Sequence, residues 1–131
     1  MTPPEAPLPN DTVGEGPLAA GLLRVETLKS RADFLAAARA RRVTTPAFIL
    51  QYRPRKGGTS VRVGFTCSKK VGNAVARNRA KRRLREIARL VLPCQGTPGT
   101  DYVLIGRAGV TALHPFDQML EDLRDALRRA S

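Results

Sequence analysis

The chain has 131 residues, a formal net charge of +12 and a sequence pI of about 11.2. That length suffices for one domain with a real core, and neither folding nor solubility calls for such self-repulsion, so the charge points to an anionic partner. Composition excludes a spanning helix, since no apolar run approaches the ~20 residues needed, and it excludes a cysteine-rich scaffold.

Nucleic acid is the leading anionic partner, because neutralised phosphates release condensed counterions. An acidic membrane surface is the weaker alternative. Cys67 and Cys94 lack CxxC spacing, and two ordinary thiols are favoured over a single disulfide. The N-terminal stretch has no basic start and no apolar core, so no secretory signal is expected and the cytoplasm is the default compartment.

Residues 1–21 hold five of the ten prolines, three acids and no Lys or Arg. They read as a disordered Pro-rich acidic tail ahead of a domain over residues 22–131. Ser30 is a good N-cap and Asp33 completes a capping-box pattern, predicting a helix that ends near Arg41. Thr44–Arg53 is β-rich, with a further short strand at Val43 and Thr44 before Pro46. Thr59–Cys67 alternates Val61, Val63, Phe65 and Cys67 against polar or small residues, as a half-buried strand does. The Pro/Gly-bearing PRKGGT stretch between these runs predicts an antiparallel hairpin.

A long helix is expected over residues 73–92, started by Gly72-Asn73 and stopped by Pro93. DYVLIGR, Asp101–Arg107, reads as a short apolar strand in the centre of the sheet. His114-Pro115 opens a last helix, with His114 as a capping residue. Its core stripe is Phe116, Leu120, Leu123 and Leu127. The class is α+β, a small two-layer α-β sandwich.

On a helical wheel, Ala80, Leu84, Ile87 and Val91 form one narrow apolar line. Asn78, Arg82, Arg85 and Arg89 form a second line opposite, flanked by Arg79 and Lys81, while Arg77 and Arg83 flank the apolar line. Glu86 is the one acid between Phe34 and Thr100, against sixteen Lys/Arg. A solvated helix face would interleave both signs, so this imbalance points to phosphates. Arginine suits bidentate phosphate contacts and base stacking, and Asn78 adds a donor and an acceptor. Ser68, Gly72 and nearby amides, with Lys69 and Lys70, form a loop that suits a phosphate but lacks P-loop spacing.

The run SKKVGNAVARNRAKRRLR, Ser68–Arg85, resembles the signature of the protein component of bacterial ribonuclease P. LKSRADF, FIL, RVGFTCSKK and DYVLIGR follow the same order, so the resemblance covers roughly residues 24–130. It implies the order α-β-β-β-α-β-α with a left-handed βαβ crossover at the basic helix. It implies the small subunit of a ribonucleoprotein that removes the 5′ leader of precursor tRNA. The RNA subunit carries the chemistry with magnesium, and no obligate protein partner is expected. By position, Lys69, Lys70, Asn73, Arg77, Asn78, Arg79, Arg82 and Arg85 correspond to contacts with the catalytic RNA. Phe34, Phe48, Thr66, Ser68, Arg77 and Lys81 correspond to a leader cleft between the sheet and the basic helix. Phe34 and Phe48 matter there if exposed, since their other reading is ordinary core.

Three positions depart from the family pattern. Ala38 and Gln51 stand where aromatics are frequent, and Ala80 where a larger aliphatic is usual. Fewer stacking partners would leave leader binding more electrostatic. A structural ribosomal-type RNA-binding protein is the alternative class. An independent hydrolase fits poorly: there is one histidine, and no paired carboxylates or metal-ligand spacing lie near the basic region.

Overall fold

The computed structural model describes residues 23–55 and 58–130. In chain order the elements are β1 (Val25–Thr27), α1 (Arg31–Arg39), β2 (Arg41–Thr44), β3 (Phe48–Pro54), β4 (Val61–Thr66), a 3-10 turn (Lys69–Val71), α2 (Ala74–Gln95), β5 (Thr100–Gly106) and α3 (Phe116–Ala130). The expected tail over residues 1–21 lies outside the described residues. Cys67 and Cys94 are both free thiols.

The five strands lie in the order β1-β4-β5-β3-β2. β5 is central, as its apolar sequence requires. It runs parallel to β4 and antiparallel to β3, so β4, α2 and β5 make a parallel βαβ unit. Tyr102 and Leu104 face the main core under α2 and α3. Val103 and Ile105 face the other way, against Leu28, Ala37 and Phe34. The sheet with α2 and α3 is thus the main sandwich, and α1 covers part of the second face.

The expected hairpin between the second and third β-rich runs does not form. β5 inserts between β3 and β4, which are antiparallel but not neighbours. A strand with both faces apolar gains most in the sheet interior, and the connection needs only to cross about 10 Å, two strand spacings. The hairpin that does form joins β2 to β3. Its turn is fixed by the Thr45 hydroxyl, which donates to the Phe48 carbonyl at 2.7 Å and accepts from the Phe48 amide at 3.0 Å. β1 was not expected; its three residues pair in parallel with Val61–Val63, too short a run to show a period.

Helix ends differ from expectation for local reasons. The Ser30 hydroxyl caps α1 by accepting from Ala32 N at 3.2 Å, but the Asp33 carboxylate does not close a capping box. It pairs instead with Arg53 at 3.6 Å and Arg62 at 3.2 Å. α1 stops at Arg39 because Arg41 already belongs to β2. Pro93 lies inside the last turn of α2, where a missing N–H removes one helix bond. Its carbonyl accepts from Leu23 N at 2.8 Å, and Gly96 N closes the helix on the Leu92 carbonyl. His114 does not cap α3; its Nε2 stands 3.6 Å from the Asp122 carboxylate. The stripe on α3 centres on Met119, Leu123, Ala126 and Leu127, with Phe116 and Leu120 half-buried at its margin.

The second face is tied by one carboxylate. Asp101 on β5 has no exposed surface. It accepts from Arg62 Nε at 2.8 Å and Arg62 Nη2 at 2.7 Å, from Arg55 at 2.5 Å and from Arg53 at 3.2 Å. Burial alone would raise the Asp101 carboxyl, but the hydrogen bonds from Arg62 and Arg55 outweigh it and hold it below the usual carboxylate range. The stability it contributes is therefore complete above its unfolded pKa of ~3.9 and is lost as pH falls through the lower folded value. Asp101→Asn should lower the unfolding free energy at neutral pH by ~3 kcal/mol, since it leaves three arginines around a neutral group. Urea titrations at neutral and acid pH check this: the variant should lose less stability on acidification than the wild type.

Candidate nucleic-acid interface

α2 is a rigid platform because its ends and one face are fixed. Asn73 caps it, with the side-chain oxygen accepting from Ala76 N at 2.9 Å. Ala80, Leu84, Ile87, Ala88, Val91 and Leu92 are buried, which is the expected apolar line with two additions. Ala80 has no exposed surface, and its small side chain lets the helix lie close. Ahead of the helix, the Ser68 hydroxyl caps the 3-10 turn by accepting from Lys70 N at 3.3 Å. Gly72 closes that turn at φ 146°, a conformation that favours glycine. Lys69 and Lys70 stand exposed on it.

The cations of α2 fall into two groups. Arg79 Nε donates to the Ala112 carbonyl at 2.8 Å. Arg83 donates to the His114 carbonyl, contacts Met119 Sδ at 3.3 Å and lies 5.8 Å from the Phe116 centroid. Burial, then the Arg79 charge, lowers the Arg83 pKa. Arg89 pairs with Glu86; hydrogen bonding between them raises the arginine and lowers the acid. Arg77, Lys81, Arg82 and Arg85 have no carboxylate partner among the described residues. Arg77 Nε is buried without a hydrogen-bond partner. Arg85 lies 5.8 Å from the Phe65 centroid. Of the expected outer line, Asn78, Arg82 and Arg89 are exposed, as is the flanking Arg79, but Arg85 is half-buried toward Phe65 on the core-facing side of β4.

The residues expected along the leader are not brought into one groove. Phe48 has no exposed surface and sits in the main core. It alternates with Leu50 and Tyr52 on the helix-facing side of β3, so it cannot stack on a base. Phe34 is half-buried on the opposite face. Its ring lies over Gly64, where an added Cβ would overlap it. Thr66, two residues along β4, shares that face, and Ser68 is exposed just beyond. Arg77 and Lys81 are half-buried on the α2 side, close enough to act on Cys67. Burial raises that thiol, opposed by a backbone hydrogen bond from Gly106 and by the Lys81 and Arg77 charges. The space between sheet and α2 is filled by core. Phe34, Thr66 and Ser68 meet the basic helix only around the C-terminal end of β4.

Two of the positions that depart from the family pattern are now placed. Ala38 is exposed and Gln51 half-buried, so no ring stands at either. Phe65 was missed as a site residue: it belongs to the same alternating face as Val61 and Val63, and that pattern marks it as core.

A family model described as Ribonuclease P matches residues 22–131. The Ribonuclease P protein component of Ruegeria pomeroyi is 64% identical over 107 residues, covering 80% of this chain and 86% of that protein. The one from Paramagnetospirillum magneticum is 50% identical over 111 residues, covering 81% and 83%. The solved RNase P protein from Thermotoga maritima superposes with a TM-score of 0.67 at 29% identity, covering 79% of this chain and 96% of that one. That from Staphylococcus aureus gives 0.67 at 27% identity, covering 80% and 94%.

The split among the cations is measurable. Arg82→Ala should reduce the slope of log affinity against log salt for RNA by about one unit, one phosphate contact. Arg89→Ala should reduce it by less, because Glu86 already offsets that charge. Equal slopes for the two variants would contradict the division.

Proposed function

The chain belongs to the family of bacterial ribonuclease P protein components, and from that premise we propose how its surface divides between two RNA partners. As a member of that family it binds the ribonuclease P RNA and precursor tRNA in the 5′ processing of tRNA. The reaction is RNA-catalysed; the protein's part is to bind and position.

The outer line of α2 and the turn before it face the catalytic RNA: Lys69, Lys70, Asn78, Arg79, Arg82 and Arg85, with Asn73 fixing the helix start and Arg77 at the margin. The observation that carries this is the set of α2 cations without carboxylate partners, held on a docked helix. A phosphate backbone is the counter-charge such a set lacks. The 5′ leader runs on the α1 face past Phe34 and Thr66, then over Ser68 at the end of β4 toward Arg77 and Lys81. Phe48 takes no part.

Magnesium belongs to the RNA in this proposal. The one acid on α2, Glu86, is paired with Arg89. Asp33 and Asp101 are held by arginines. A divalent cation near these two faces would meet repulsion rather than open carboxylates, which supports the RNA as the holder of magnesium. No helix among the described residues is long and apolar enough to cross a membrane.

Reconstitution tests the reading. The protein, a bacterial ribonuclease P RNA and a precursor tRNA are combined at low magnesium. Leader release should need both subunits. Release by the protein alone would show a hydrolase, and no stimulation of the RNA would favour a ribosomal-type role. Phe34→Leu should weaken binding of a long-leader precursor several-fold, as loss of one base stack does. Binding of a leaderless tRNA should be unchanged.

A further inference from the structure

Two arginines on α2 lie over phenylalanine rings at the same distance, and they differ in everything else. Arg83, 5.8 Å from the Phe116 centroid, is also engaged by the His114 carbonyl and by Met119 Sδ. Its stack locks α2 to α3. Arg85, 5.8 Å from the Phe65 centroid, has no hydrogen bond or ion pair among the described residues. The acid next to it, Glu86, is taken by Arg89.

A guanidinium is a flat cation with two faces. At 5.8 Å from the ring centroid the Arg85 guanidinium is within cation–π reach of Phe65, which restricts a side chain that is otherwise mobile and leaves its N–H groups without a protein partner among the described residues. A phosphate takes the charge and the N–H fork of arginine, but it makes no use of a ring that orients the plane. An oriented plane matters for a flat ligand, and arginine planes stack on nucleobases. A neighbour suits the same ligand. Arg82 lies about one turn before Arg85 and is exposed, without a carboxylate partner among the described residues and placed for a flanking phosphate.

We propose that Arg85, held by the Phe65 ring, is a stacking site for an unpaired nucleobase of RNA, with Arg82 on an adjoining phosphate. This rests on the reading that α2 meets RNA. It adds that one contact on the helix recognises a base plane and not charge alone.

The test is binding of the full chain to a bacterial ribonuclease P RNA over a series of potassium chloride concentrations. Arg85→Lys keeps the charge and removes the planar fork. It should lower affinity about five- to tenfold at every salt concentration with the slope unchanged. Phe65→Leu should do the same, and the double variant should be little weaker than either alone, since both remove one stack. Arg85→Lys binding within about twofold of wild type would overturn the proposal, leaving Arg85 as a point charge on a phosphate. A wild-type chain that fails to bind this RNA would overturn the reading of α2 as well, a result distinct from insensitivity in a chain that binds.

Discussion

A helix with seven Lys/Arg between Arg77 and Arg89 and a single acid is held together from outside itself. Like charges at i,i+4, such as Lys81 with Arg85, each oppose it by a few tenths of a kcal/mol. Burying Leu84, Ile87, Val91 and Leu92 contributes ~1.5–3 kcal/mol per side chain. Docking therefore wins by a wide margin, and the cations can be arranged for a partner rather than for the helix. That margin depends on the sheet presenting an apolar face, and so on β5 taking the central place.

Charge on this molecule acts in two different ways. On the α1 face, Arg53, Arg55 and Arg62 converge on Asp101, and Asp33 joins from α1. These charges cross-link β3, β4, β5 and α1, and they are largely neutralised. On α2, the pairing of Glu86 with Arg89 uses the one acid available, and the remaining cations keep their field. The net charge of +12 is thus concentrated in effect. Internal pairing quiets the second face, and the outer side of α2 stays uncompensated.

Features carried by local pattern were legible in the sequence: the start of α2 at its Asn73 cap, the apolar line Ala80-Leu84-Ile87-Val91, the central β5 and the extent of α3. Features set by long-range choices were not. Adjacent β-rich runs suggested a hairpin, but insertion of β5 is decided by burial of both its faces, which no local turn signal encodes. Asp33 fitted a capping box until Arg53 and Arg62, distant in sequence, offered it charges instead. Phe48 matched a site position, yet its alternation with Leu50 and Tyr52 places it in the core. In the same way, Phe65 reads as one more alternating apolar residue, and only the folded structure shows Arg85 lying over it.

The limited supply of aromatic rings then constrains how RNA can be held. The chain has four phenylalanines and two tyrosines. Phe48, Tyr52 and Tyr102 are buried in the main core, and Phe116 is occupied by Arg83. That leaves Phe34 and Phe65, both half-buried. Phe34 lies over Gly64, and Phe65 is the next residue along β4, pointing to the other side of the sheet. The two rings are close through the backbone but cannot serve one continuous stack. A base stacked on Phe34 would be approached from the α1 face, and one at Arg85 from the α2 face. Ala38 and Gln51 add no ring on the α1 side, so on the proposed path of the leader most of the grip would fall to Arg77 and Lys81 at the strand end. In the proposed division, β4 lies between a leader surface on the α1 side and an RNA-subunit surface on the α2 side, and the missing side chain at Gly64 is what allows Phe34 to settle on the α1 side.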